Sequence, residues 1–100
     1  MVINLPAADR EFAKAVAHIH KERPGRAGIF VQEIDRAAAL LVENPYLGTP
    51  YDDDVRGYVL DRFPYTIYYV IRPDHILVAA ISHQSRRPGY WRKRLKFLVQ

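Results

Sequence analysis

The sequence predicts an α+β fold: an N-terminal helical hairpin packed on a mainly antiparallel β-sheet, in the order β-α-α-β-β-β, with a C-terminal helical segment. Three observations predict it. Apolar residues recur at spacings of three and four from Phe12 to Leu41, the period of helices with one buried face. From Arg56 onward the pattern changes to short extended runs rich in Val, Ile and Tyr. The interruptions between runs are brief, which favours antiparallel neighbours. One hundred residues with 49% hydrophobic content can form one core without staples, so a single domain over residues 1–100 is expected.

Met1 to Leu5 is short and apolar, and Val2 and Ile3 favour one brief strand. After Pro6, a run to about Glu22 places Phe12, Ala15, Val16 and Ile19 on a buried stripe and leaves Asp9, Arg10, Glu11 and Lys14 facing water. Pro24 and Gly25 break this helix. A second helix, from about Gly28 to Glu43, carries a stripe of Phe30, Ile34, Ala37 and Leu41, flanked by Val31, Ala38 and Val42. Asn44 to Asp54 reads as loop, with two prolines, one glycine and three consecutive aspartates. Those acids lack the alternating ligands and closing Glu of an EF-hand, so a solvated turn is expected and no calcium site.

Gly57–Phe63, Tyr65–Arg72 and His75–His83 then form a three-strand meander, with Pro73-Asp74 as the last turn. In the middle strand Ile67, Tyr69 and Ile71 point one way and Thr66, Tyr68 and Val70 the other. Ile76 to Ile81 is an unbroken apolar run, the mark of an inner strand. Simple alternation sets His83 on the side of Leu77, Ala79 and Ile81.

Residues 1–50 hold six basic and six acidic side chains, and residues 51–100 nine basic and five acidic, so the net charge of +4 resides in the C-terminal half. An acidic partner should approach there; a charge this mild does not favour direct nucleic-acid binding. The absence of cysteine excludes disulfides, thiolate metal sites and a cysteine nucleophile. The N-terminus lacks the basic region and long apolar core of a signal peptide, and no segment approaches the ~20 apolar residues of a membrane span. A cytoplasmic protein without cofactor or metal is expected.

After the apolar strand comes a dense cationic and aromatic cluster: His83, Arg86, Arg87, Pro88, Tyr90, Trp91, Arg92, Lys93, Arg94 and Lys96, with no acid after His83. Pro88 can open a helix, on which Arg94 would share a face with Tyr90 and Trp91, stacking on a ring or pairing with an acid such as Asp61. A strand end with several donors beside a helix start favours an anion or an acidic surface. Trp91 reads either as the seal between helix and sheet or as an anchor for a partner.

Arg56, the run Phe63-Pro64-Tyr65 followed by Ile67 and Tyr69, and above all His83, Arg86-Arg87-Pro88, Tyr90-Trp91 and Arg94 resemble the RelE/ParE superfamily of toxins from bacterial toxin–antitoxin modules, most closely the ParE branch. The resemblance covers roughly residues 1–95. It implies a toxin neutralised by a cognate antitoxin, a ParD-like or similar DNA-binding regulator. ParE-like members inhibit DNA gyrase by protein binding; RelE-like members cut messenger RNA on the ribosome. A third possibility is a non-toxic ParE homologue that serves only as the antitoxin's partner.

The residues allow both actions. A metal-free ribonuclease needs a base, an acid and cations at the phosphate; His83, Arg56, Arg62, Arg86 and Tyr90 are the candidate parts. A binding inhibitor needs an arginine- and aromatic-rich surface, for which the candidates are Arg86, Arg87, Tyr90, Arg92, Lys93 and Arg94. The binding inhibitor is the favoured reading, with no catalytic residue expected. For the antitoxin, the outer helical faces carrying Val31, Ala38, Leu40 and Val42 are the candidate groove. Phe63, Pro64, Tyr65, Tyr69 and Trp91 are structural positions of the motif.

Overall fold

A computed structural model describes residues 1–52 and 54–96. The fold is α+β, as the sequence predicts. Strand β1 (Val2–Asn4) leads into α1 (Pro6–Glu22) and α2 (Pro24–Glu43). A single 3₁₀ turn (Pro45–Leu47) then connects to β2 (Thr49–Asp52), β3 (Val55–Val59), β4 (Tyr65–Ile71) and β5 (Ile76–His83), and a short α3 (Arg92–Leu95) follows. The strands lie in the order β1-β5-β4-β3-β2, with β1 parallel to β5 and the other pairs antiparallel.

Four sequence expectations are corrected. Pro24 does not merely separate the helices: it occupies the first turn of α2, where its missing N–H is harmless, and the break is confined to Arg23. Part of the expected loop, Thr49–Asp52, is an edge strand, which is where a Pro such as Pro50 is tolerated; Asp53, in the expected acidic turn, lies outside the described residues. The first meander strand spans Val55–Val59, and Leu60 to Pro64 bend away from it. Among the described residues the C-terminal helix is Arg92–Leu95, starting after the expected Pro88 because Gly89 adopts a left-handed conformation (φ 75°) that a helix cannot pass through.

The sheet separates two apolar clusters. On the helical side, Ile67, Tyr69, Ile76, Val78 and Ile81 pack beneath Ala8, Ala15, Phe30, Ala37 and Leu41. Phe30 is the centre of this side, with ring centroids 5.1 Å from Phe63, 5.2 Å from Tyr65 and 6.0 Å from Phe12. The other face buries Val55, Val70, Leu77, Ala79 and Ala80 under Trp91 and Leu95. A bulge decides which residues face which way. Tyr68 is opposite Ala80 but Tyr69 is opposite Val78, so Ala79 is an extra residue in β5 and both alanines point toward Trp91. Ile81 and His83 are thereby turned to the helical side, away from Leu77 and Ala79, contrary to simple alternation.

Tyr69 ties the sheet to the α2–β2 connection: its hydroxyl donates to the Pro45 carbonyl (2.6 Å) and accepts from the Gly48 N–H (2.9 Å). A Cβ at Gly48 would lie 2.5 Å from that hydroxyl, so glycine is required by the close approach. Replacing Tyr69 by Phe removes both bonds and strands two backbone groups; a loss of about 1–3 kcal/mol is expected, read as a lower urea midpoint at unchanged slope.

Candidate functional site

The site is built on an unfinished strand pairing. β1 pairs only with Ile76 to Val78, and the Leu5 N–H extends the contact by donating to the Val78 carbonyl (2.9 Å). Beyond that point the outer edge of β5 has no neighbouring strand among the described residues. Two side chains take its place. The Ile81 N–H donates to Glu11 Oε1 (3.1 Å), and Arg94 Nη1 donates to the Ala79 carbonyl (3.0 Å). Glu11 and Arg94 then close on each other in a two-pronged pair, Nη1 to Oε1 at 2.8 Å and Nη2 to Oε2 at 3.0 Å. The Tyr90 hydroxyl also donates to Glu11 Oε2. Arg86 lies 3.9 Å above the Tyr90 ring, with Arg94 at 5.1 Å.

Electrostatics follow from this crowding. Burial alone pushes the Glu11 carboxyl up, but hydrogen bonds from Arg94, Tyr90 and the Ile81 N–H outweigh it and hold its pKa below the ordinary value of 4.5. Tyr90 is raised from 10.0, first by burial and then by its bond to the Glu11 carboxylate. Arg94 is raised as well, chiefly by its bond to Glu11.

Glu11 was expected to face water and is instead clamped by Arg94; Arg94 stacks on the Tyr90 ring and pairs with an acid, the two options the sequence offered, but the acid is Glu11 and not Asp61. The signal for Glu11 is in the sequence: it lies three residues after Ala8 and four before Ala15, both buried, so it shares their helical face. A carboxylate at a core-facing position needs a partner. Glu33 follows the same rule, three residues after Phe30 and four before Ala37, and its Oε1 accepts from the backbone N–H groups of Asp61 and Arg62 (3.0 and 3.1 Å).

Of the five residues considered for ribonuclease chemistry, Arg62, His83 and Arg86 border two adjoining cavities and Tyr90 lies beside Arg86, while Arg56 is apart from them. Arg56 stacks on Tyr46 and donates to the Gly48 carbonyl (2.7 Å); it is paired with Tyr69, whereas His83 is paired with Tyr65 at the other end of β4. Arg62 is exposed on the bend after β3. Tyr90 is committed to Glu11, and Arg86 is beside it. His83 receives the Ser85 N–H at Nδ1 (3.0 Å), so the neutral ring carries its proton on Nε2. Its lone pair is directed at its own turn, and a donor faces outward.

Of the cationic candidates, Arg94 is held by Glu11 and Arg92 by Asp52 (2.6 Å), while Arg86, Arg87 and Lys93 are exposed. Trp91 is buried (1% exposed) against Tyr68 and Tyr51, with ring centroids at 4.8 and 5.5 Å. Phe63 and Tyr65 are buried around Phe30, and Pro64 is exposed between them. The four helical candidates divide: at ~100° per residue Val31, Ala38 and Val42 fall on one flank of the buried stripe of α2, and Leu40 on the opposite flank beside Ile29. Among the described residues, no group of three or more His, Asp or Glu side chains is placed to hold a metal, and no helix is long and apolar enough to cross a membrane.

Glu11→Gln removes the charge that Arg94 and the Ala79–Ile81 edge depend on, and a loss of about 3 kcal/mol is expected by chemical denaturation at neutral pH. The pH dependence has a definite sign. Because folding lowers the Glu11 pKa, its contribution is present above 4.5 and is lost as pH falls through the lower folded-state value. The wild type should therefore lose stability on acidification below 4.5 more steeply than the Gln variant, measured as urea midpoints across that range.

A family profile described as "ParE toxin of type II toxin-antitoxin system, parDE" matches residues 2–88, which include α1, α2, all five strands and the His83 turn. A solved structure described as the chromosomal ParDE TA system from P. aeruginosa superposes with a TM-score of 0.71 at 22% identity, over 82% of this chain and 92% of that one, a likeness of fold. Comparison with curated protein sequences gives no significant match. Since the family profile spans nearly the whole chain, from β1 to Pro88, the chain belongs to the ParE toxin family of type II toxin–antitoxin systems.

Proposed function

We propose that this toxin acts by binding DNA gyrase rather than by cutting RNA, and that a cognate antitoxin neutralises it in the cytoplasm. The observation that carries the choice is the state of His83. A general base needs a free lone pair at neutral pH, and the Ser85 N–H occupies the Nδ1 lone pair within the turn. Of the cations that would steady a phosphate, Arg56 is tied to the Gly48 carbonyl away from His83. A docking surface needs neither feature. Arg86, Arg87 and Lys93 project from a segment that Glu11, Trp91 and Leu95 hold against the sheet, so a contact made there loses little side-chain-independent freedom on binding. For the antitoxin, the flank of α2 with Val31, Ala38 and the 45%-exposed Val42 is the assigned apolar surface, and Leu40 belongs to a separate one.

The test is a supercoiling assay with purified gyrase and the antitoxin-free protein, run beside ribosome-programmed messenger cleavage. Inhibited supercoiling with intact messenger is expected; cut messenger with unaffected gyrase would overturn the reading. The double variant Arg87→Glu/Lys93→Glu should weaken gyrase inhibition about tenfold or more, while stability changes by only about 0.5 kcal/mol per site.

A further inference from the structure

On the sheet face opposite the α1–α2 hairpin is a cavity of about 260 Å³, lined by Val55 and Val70 from the sheet and by Trp91 and Leu95 from the C-terminal segment. We propose that this cavity binds a small amphipathic carboxylate, a single apolar ring or branched chain ending in one carboxylate group. The inference is independent of which target the toxin inhibits.

An unsatisfied donor points to a ligand here. Trp91 is 1% exposed, and its Nε1–H has no acceptor among the described residues. A buried N–H without an acceptor is unfavourable, and in a native fold it marks a missing partner. The charges around the cavity are unequal. Arg72, Arg92 and Lys96 border it together with Asp52 and Asp54. Arg92 and Asp52 satisfy each other at 2.6 Å. Arg72 and Lys96 make no ion pair among the described residues, so two cations stand against the single acid Asp54.

These features select the class of ligand. Val55, Val70, Leu95 and the indole of Trp91 call for an apolar body. A carboxylate end accepts from the indole N–H and from the Arg72 guanidinium, whose planar fork matches it. A cationic end does neither, because it offers Trp91 no acceptor and meets the excess of cations. A neutral amide offers an acceptor but leaves Arg72 and Lys96 unused. The volume, about 260 Å³, is below the ~300–1,000 Å³ of sites for drug-sized ligands, so one ring is the limit. Because Trp91 and Leu95 flank Lys93 in the chain, an occupant would also brace that cationic segment against β3 and β4.

The test uses the free, full chain and three probes of one shape: phenylpropionate, phenylpropionamide and phenylpropylamine. Trp91 is the only tryptophan in the chain, so a single indole N–H resonance in a proton–nitrogen NMR spectrum reports the site. Phenylpropionate should move that resonance downfield and saturably, binding about fivefold more tightly than the amide and about tenfold more tightly than the amine. The double variant Arg72→Gln/Lys96→Gln, checked for an unchanged circular dichroism spectrum, should bind phenylpropionate about tenfold more weakly or worse. An indole resonance that stays in place at millimolar phenylpropionate would overturn the proposal. So would equal binding of the amine, or undiminished affinity in the folded double variant. Shifts confined to residues around Lys14 and Arg86 would put the carboxylate on the other face of the sheet and overturn it as well.

Discussion

The structure depends on how the free edge of β5 is closed. A central strand that loses its neighbour halfway along would expose unpaired backbone groups and invite another chain to add there. Here a glutamate from the first helix and an arginine from the last turn supply the missing acceptor and donor, at Ile81 and Ala79, and satisfy each other in the same contact. One pair of side chains therefore does three things. It finishes the sheet, fixes α1 across the strand, and anchors the cationic C-terminal segment whose other side is sealed by Trp91 and Leu95.

This closure links fold to function. Arg94 and Tyr90 hold the segment in place, because both are bonded to Glu11. Arg86, Arg87 and Lys93 are exposed and, among the described residues, make no such bond to a carboxylate at hydrogen-bond distance, Arg86 lying 3.9 Å from Glu11. The β-bulge at Ala79 and Ala80 has a parallel effect on the helical side. It turns His83 toward α1, where it joins His18 at a groove, and not toward the face covered by Trp91.

Much of the fold was legible because its signals are repetitive: apolar spacing for the hairpin, β-branched and aromatic runs for the meander. The features that were missed are those without a repeat. β2 is four residues long, contains Pro50 and resembles loop in composition. The bulge was invisible because Ile76 to Ile81 is apolar throughout, so alternation gives no phase to read. The late start of α3 depends on the backbone of Gly89, whose left-handed conformation is permitted but not announced by its identity. At the site, the cationic cluster was evident, whereas its counter-charge was not: Glu11 is 83 residues from Arg94 in the chain, and only its helical phase with Ala8 and Ala15 betrays it.

The measurement that tests this account most directly is a double-mutant cycle on Glu11→Ala and Arg94→Ala, with stability from denaturation and protection of the Ile81 amide from hydrogen exchange read in the same four proteins. The account predicts a coupling above about 1 kcal/mol, together with a protected Ile81 amide that becomes fast-exchanging in either single variant. Additive stabilities and an Ile81 amide that stays protected in both single variants would contradict it.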